Sequence, residues 1–369
     1  MKDKFINFLK KEAVLAVSAL CAFITMLILP PDKEYARYID WHVLCLLLCL
    51  MAVVEGVNGV GAFRTMTYHM LKKVTNGRIL AITMVMLPFF SAMLVTNDVA
   101  LLVFVPFTMA LLDKIGCHFA IIPVLVLQTM GANLGSMATP VGNPQNLFLY
   151  SAYKLSMGEF LQGTLILTTV SFLALLVSSY FLLPSKLPMI ELKKEEMEEG
   201  RKLWIYGILF VVCLLCVFRI LPAVVMTILV MGIIILLDRE LLKHLDVSLL
   251  ATFVCFFVVS GNLARVEAVR LFLQSLLEKN TLLTSVVTSQ VISNVPAAVL
   301  LSGFTQDWMN LLRGVNIGGL GTPIASLASL ITLKLYLRRP GARGGKFLFV
   351  FLLANVLGLG ILLLVNRIL

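Results

Sequence analysis

One pattern is written twice in this chain, and it restricts the possible folds more than any other feature. Residues 131–140 read GANLGSMATP and residues 314–323 read GVNIGGLGTP. Gly131, Asn133, Gly135, Thr139 and Pro140 fall in register with Gly314, Asn316, Gly318, Thr322 and Pro323. Upstream of each copy lies a second matched element, LVTNDVALLVFVPF at 94–107 and VISNVPAAVLLSGF at 291–304. In each, a polar tip centred on Asn interrupts an apolar run. A Gly-rich break behind a polar tip, once in each half, is the sequence mark of a binding site built from discontinuous membrane helices.

Composition makes the setting a bilayer. The chain is 60% hydrophobic and only 14% charged, and apolar runs long enough to cross a membrane recur from end to end. The first, near 12–29, follows MKDKFINFLKKE and ends in ILPP without a small-residue cleavage site. It therefore reads as a spanning helix rather than a signal peptide. The seven cysteines lie mostly within apolar runs without metal-ligand spacing, and the Cys213-x-x-Cys216 pair sits on a hydrophobic helix, where packing explains it. Membrane topology accounts for the formal charge of +10, so no nucleic-acid partner is expected. No nucleophile–base pair, His-rich metal set or phosphate-binding P-loop is visible, which argues against an enzyme and against an ATPase within this chain.

The expected fold class is an all-α polytopic membrane protein, an inverted-repeat transporter with two re-entrant hairpins and two broken helices. Spans are expected near 12–29, 41–60, 119–153, 158–183, 203–219, 222–237, 247–262, 305–335 and 346–366. The broken helices are 119–153 and 305–335; the hairpins are 79–112 and 280–304, with polar tips at 96–98 and 293–296. With the N-terminus in the cytoplasm, the inner loops collect most of the Lys and Arg, from Lys2, Lys4, Lys10 and Lys11 to Arg338, Arg339 and Arg343. The first hairpin then enters from the cytoplasm, the second from outside, and the broken helices run in opposite directions. The first repeat occupies 1–183, a charged cytoplasmic linker 184–202, and an extra span plus the second repeat 203–369. The compact architecture fits a prokaryotic inner membrane.

Unwound backbone persists in a membrane only where it is buried in protein or lines a wet cavity. Breaks at 131–144 and 314–323 would offer carbonyls to a cation. Half-helices beginning after Pro140 and Pro323 would offer free N–H groups to an anion. Substrate contacts are expected from Asn97, Thr139, Pro140, Asn143, Gln145, Asn146, Asn294, Thr322 and Pro323. A coupling ion is expected at Thr96, Asn97, Asp98, Asn133, Gly135, Ser293, Asn294, Asn316 and Gly318. This largely neutral oxygen set suits Na⁺, and no other metal or cofactor is expected.

Five residues carry competing readings. Asn143, Gln145 and Asn146 have only Ser326 and Ser329 as polar equivalents in the second half. The first break either contributes more substrate contacts or uses Asn143 as a helix cap. Asp98, whose counterpart is Val295, either binds a coupling ion or proton or caps the half-helix that follows. Glu55 either takes part in transport or pairs with Arg64 or Lys72, and pairing is expected.

TNDVALLVFVPF, GANLGSMATPVGNPQNLFLY, SNVPAAVLL and GVNIGGLGTPIASLASLI resemble the signatures of the ion transporter superfamily. That group holds the citrate and divalent-anion/sodium symporters, the arsenite efflux permease and a sodium/proton antiporter family. The resemblance spans nearly the whole chain. It implies a scaffold domain and a mobile transport domain, homodimerisation through the scaffold and elevator-type alternating access. It also implies paired cation sites at the tips with a small anionic substrate between them. Dicarboxylate symporters resemble Ser-Asn-Thr at both tips; here the tips are Thr96-Asn97-Asp98 and Ser293-Asn294-Val295. The Asn-Asp tip is similar to the arsenite permease and antiporter branches, which implies proton coupling as an alternative to sodium. The function expected is a cation-coupled permease for a carboxylate or inorganic oxyanion, with a Na⁺/H⁺ antiporter using Asp98 as the alternative.

Overall fold

Apolar runs punctuated by Gly, Pro and Asn give helices of uneven length. The computed structural model describes residues 13–62, 65, 76–186 and 200–368. Among them the chain is helical, with no strand beyond one isolated bridge between Asn76 and Lys186. In order the helices are α1 (Ala13–Ile28), α2 (Trp41–Gly59), α3 (Gly77–Ser91), α4 (Asn97–Lys114), α5 (Ile121–Ser136), α6 (Pro144–Ala152), α7 (Met157–Tyr180) and α8 (Gly200–Val217). Then follow α9 (Ala223–Leu237), α10 (Val247–Arg265), α11 (Glu267–Ile292), α12 (Asn294–Ser302), α13 (Trp308–Ile317), α14 (Leu327–Leu337) and α15 (Gly344–Ile368), with short helical turns between some of them.

Among the described residues, six stretches are long and apolar enough to cross a membrane: α2, α5 with the turn before it, α7, α8, α10 and α15. Large apolar side chains face outward; Leu236, Trp204 and Phe181 are 87%, 78% and 77% exposed. That is the reverse of a water-soluble surface and suits hydrocarbon. Polar residues sit where helices begin. Asp40 accepts from the Val43 N–H at 3.0 Å, Asp246 from Leu249 at 3.0 Å and Asp307 from Asn310 at 3.2 Å. Ser156 and Glu159 form a reciprocal capping box at the start of α7.

The buried apolar side chains form two clusters. One unites α3, α4, α5, α14 and α15; the other unites α2, α6, α8, α9, α10 and α12. Each interrupted helix passes from one cluster to the other at its interruption: α5 belongs to the first cluster and α6 to the second, most of α13 to the second and α14 to the first. The packing is reciprocal. The helices α5 and α13 lie against α3–α4 and α11–α12 respectively, while α14 packs on α4 and α6 packs on α12. Each half's distal segment therefore lies on the other half's helix pair.

The breaks are narrower than the Gly spacing predicts. Gly131, Asn133 and Gly135 are helical within α5, and Gly314 and Asn316 within α13. Pro140 and Pro323 open short 3₁₀ turns, so the distal helices start later, behind Asn143 and Ser326. The reason is steric. A Cβ on Gly135 would overlap the Phe89 carbonyl of α3, so this glycine serves helix contact rather than unwinding. Within α11 the backbone breaks at Asn280 (φ −165°, ψ 95°), whose side chain accepts from the Leu283 N–H at 2.8 Å and starts a second helical segment. The N-terminal basic residues, most of the linker, and the expected partners of Glu55, Arg64 and Lys72, lie outside the described residues.

Candidate functional site

Where the apolar clusters meet, the backbone of both breaks and both tips needs polar partners, and the sequence supplies Asn, Ser, Thr and Gln. Asn97 and Asp98 occupy the first turn of α4 behind the N-cap Thr96. The Asp98 backbone N–H donates to Asn97 Oδ1 at 3.0 Å, and Asn97 Nδ2 donates to Asn133 Oδ1 at 2.9 Å. Thus the first tip is bonded to the broken helix behind it. The second tip is shaped differently. Ser293 stands at φ 75°, a left-handed conformation rare for a residue with a side chain, and its hydroxyl donates weakly to Ala325 O at 3.4 Å. Asn294 begins α12, with its amide beside Gly319.

The halves then cross. Asn143 Nδ2 donates to Ser136 Oγ at 2.9 Å and, more weakly, to Asn316 Oδ1 at 3.5 Å. Asn316 Nδ2 donates to Asn146 Oδ1 at 2.7 Å. In the opposite direction Ser326 Oγ donates to Asn133 Oδ1 at 2.9 Å. Asn143 and Ser326 hold the same position in the two repeats, so the crossing is reciprocal. A second bond recurs in register: Thr139 donates to Met93 O at 2.5 Å, and Thr322 to Gln290 O at 3.3 Å. Asn97, Asn133, Asn143, Gln145, Asn146, Ser293, Asn294 and Asn316 are all buried.

Asn143 caps α6, accepting from the Asn146 N–H at 2.9 Å, while its amide reaches the other half; capping and crossing coexist in one side chain. Asp98 does not cap: α4 has no side-chain cap bond, and Asp98 Oδ1 is buried without a hydrogen-bond partner. The helix N-terminus nonetheless favours its negative charge. Two of the carbonyls in and beside the breaks accept a hydrogen bond, and a carbonyl oxygen has two lone pairs. Gly135 O accepts from the Ala138 N–H at 3.0 Å, and Gly318 O from Gln290 Nε2 at 2.8 Å.

Gln290 is the residue the sequence reading missed. It donates to Gly318 O and Leu320 O at 2.8 and 2.9 Å and accepts from the Thr322 N–H at 2.9 Å, closing the second break by itself. Gly321, at φ 110°, leaves the space its amide fills. A lone Gln in an apolar arm, four residues before the tip Asn, was the signal available. Ser136 was likewise missed; it bonds Asn143 and turns back to Asn133 O at 2.8 Å.

The profile of the citrate transporter family covers residues 5–307. The chain belongs to that family. An uncharacterized transporter of Methanocaldococcus jannaschii is 32% identical over 324 residues, 86% of each chain. The inner membrane protein YbiR of Escherichia coli is 31% identical over 307 residues, 82% of each. A silicon efflux transporter of Oryza sativa, LSI3, is 32% identical over 138 residues, 37% of this chain and 28% of its own. The protein is an integral membrane protein of a transporter family.

Proposed function

We propose that this protein is a secondary transporter, not an enzyme, moving a small anion, a carboxylate or inorganic oxyanion, coupled to H⁺ or Na⁺. The observation that carries this reading is the polar knot itself. Both tips and both breaks bring buried amides and hydroxyls to the seam between two apolar clusters, with Asp98 Oδ1 unpaired beside them. A small solute can be held there by donors, and a proton or cation by Asp98.

In this reading the halves form an inverted repeat, with α3–α4 and the distal part of α11 with α12 as re-entrant hairpins. The N-terminus is cytoplasmic and the membrane a prokaryotic inner membrane. The protein works as a homodimer whose transport domain moves like an elevator against a scaffold. Reciprocal packing and the matched Thr139 and Thr322 bonds support the repeat. One further observation favours a Na⁺/H⁺ antiporter as the second reading: the hydrogen bonds of the knot come from Asn, Ser, Thr and Gln rather than Lys or Arg.

Thermal stabilisation of the purified protein by citrate, succinate, phosphate or silicate, with and without Na⁺ at two pH values, separates the readings. Stabilisation by a solute, strengthened by Na⁺ or acid, is expected. A response to Na⁺ alone, opposed by protons, would replace the permease with the antiporter. Asp98→Asn is expected to flatten the pH profile of uptake in vesicles; a retained profile would remove Asp98 from coupling.

A further inference from the structure

The two crossings use the same positions in the two repeats, but only one of them is closed. Asn316 uses both ends of its amide: Oδ1 faces Asn143, and Nδ2 donates to Asn146 Oδ1 at 2.7 Å and to Leu312 O of its own helix at 2.9 Å. The matched residues at the other crossing are Asn133, Ser326 and Ser329. Asn133 Oδ1 accepts from Ser326, but Asn133 Nδ2 and Ser329 Oγ, the twins of the Asn316–Asn146 pair, are both buried without a hydrogen-bond partner. Asn133 is 7% exposed and Ser329 0%.

The two orphans share one seam. The helices α5 and α14 run antiparallel there, tied at one end by the Ser326–Asn133 bond of 2.9 Å and at the other by the Thr129–Thr332 bond of 2.8 Å. Ser329 lies between Ser326 and Thr332 on α14, and Asn133 is one turn beyond Thr129 on α5. A serine is shorter than an asparagine by about one bond and the amide head, so it falls short of the partner that Asn146 reaches. Its hydroxyl also lacks the usual retreat. Thr129, Ser285 and Ser289 turn back to the carbonyl four residues earlier, but for Ser329 that residue is Ala325, which lies in the break outside α14.

The polarity of the seam is set by the backbone. The Asp98 N–H fixes Asn97 Oδ1 as an acceptor, so Asn97 presents Nδ2 to Asn133. Asn133 must answer with Oδ1, which also accepts from Ser326 across the seam, and its N–H group is therefore the end left without a partner. An N–H repels a cation and attracts an oxygen.

We propose that Asn133 Nδ2 and Ser329 Oγ bind one acceptor oxygen of the transported solute, a carboxylate, oxyanion or hydroxyl oxygen. Asn133 is thereby a substrate residue rather than the cation ligand its place in the motif suggests, and Ser329 joins it. The proposal rests on the transporter reading above. The crossing at Asn316 is then structural, and substrate binds off the pseudo-symmetry axis, toward Asp98.

Ser329→Asn tests this by rebuilding the closed crossing at the open one. Thermal midpoints are read for wild type and variant without solute and with citrate, succinate, phosphate and silicate in turn; uptake of whichever stabilises wild type is then followed in vesicles. The variant is expected to melt higher without solute and to lose both the solute-induced shift and uptake. Ser329→Ala is expected to raise the half-saturating concentration about tenfold, the loss of one hydrogen bond. A wild-type shift that Ser329→Asn leaves intact overturns the seam site and spares the transporter reading. If no solute shifts wild type, the transport reading fails for this panel; an unraised midpoint in the solute-free variant then overturns the seam geometry as well. Should Ser329→Asn fail to fold, an unchanged half-saturation in Ser329→Ala overturns the proposal.

Discussion

Asn316 and Asn133 hold matched positions in the two halves, yet their surroundings differ in kind. Around Asn316, two asparagines from the first half satisfy both ends of the amide. Around Asn133, two serines stand in the same places; one bonds and the other does not. A buried polar group without a partner costs about 1–3 kcal/mol, so the open crossing is the less stable one. Folded proteins rarely leave such groups unpaired away from functional sites. The duplicated framework is thus used once to fasten the halves and once to leave donors available. The tips repeat the lesson: only the tip facing the open crossing carries a carboxylate.

The largest effect should follow from breaking the open side. Asn97→Ala removes the donor that orients Asn133, and uptake in vesicles should fall to background with an unaltered gel-filtration profile. Surviving uptake would mean that the open crossing is not the functional one. Next in size is a packing change common to the framework. Gly135→Ala forces α5 from α3 and should lower stability by roughly 1–3 kcal/mol in a denaturation assay. Gly232→Ala in α9, where a Cβ meets nothing within 4 Å, should be neutral or raise stability by up to about 1 kcal/mol. The smallest functional effect should come from the closed side. Asn146→Ala should destabilise by about 1–3 kcal/mol while uptake per folded molecule stays near wild type. An uptake loss as complete as that of Asn97→Ala would make the crossings functionally equivalent.

Much of this is legible in the sequence. Helix positions followed from apolar runs, and the tip at Asn97 and the break behind Gly135 followed from the repeated polar punctuation. Asn143 as a helix cap was legible because Asn-Pro opens a helix. Break width was not. Gly135 looks like a helix breaker in one dimension, but its role depends on the Phe89 carbonyl, which is remote in sequence. Gln290 escaped notice because its partners, Gly318, Leu320 and Thr322, become neighbours only when α11 lies against α13.

That the chain lives in a bilayer, that its two halves share one plan, and which polar residues punctuate each half all follow from the order of residues. Those properties are local: hydropathy, helix-breaking residues and spacing are readable in a single strand of text. Tertiary structure alone decided which amide meets which. Asn133 and Asn316 are equal in the repeat, but Asn316 meets asparagines of the opposite half and Leu312 O of its own helix, whereas Asn133 meets serines. Hydrogen bonding depends on reach and direction across helices, and neither is written in the order of residues along one.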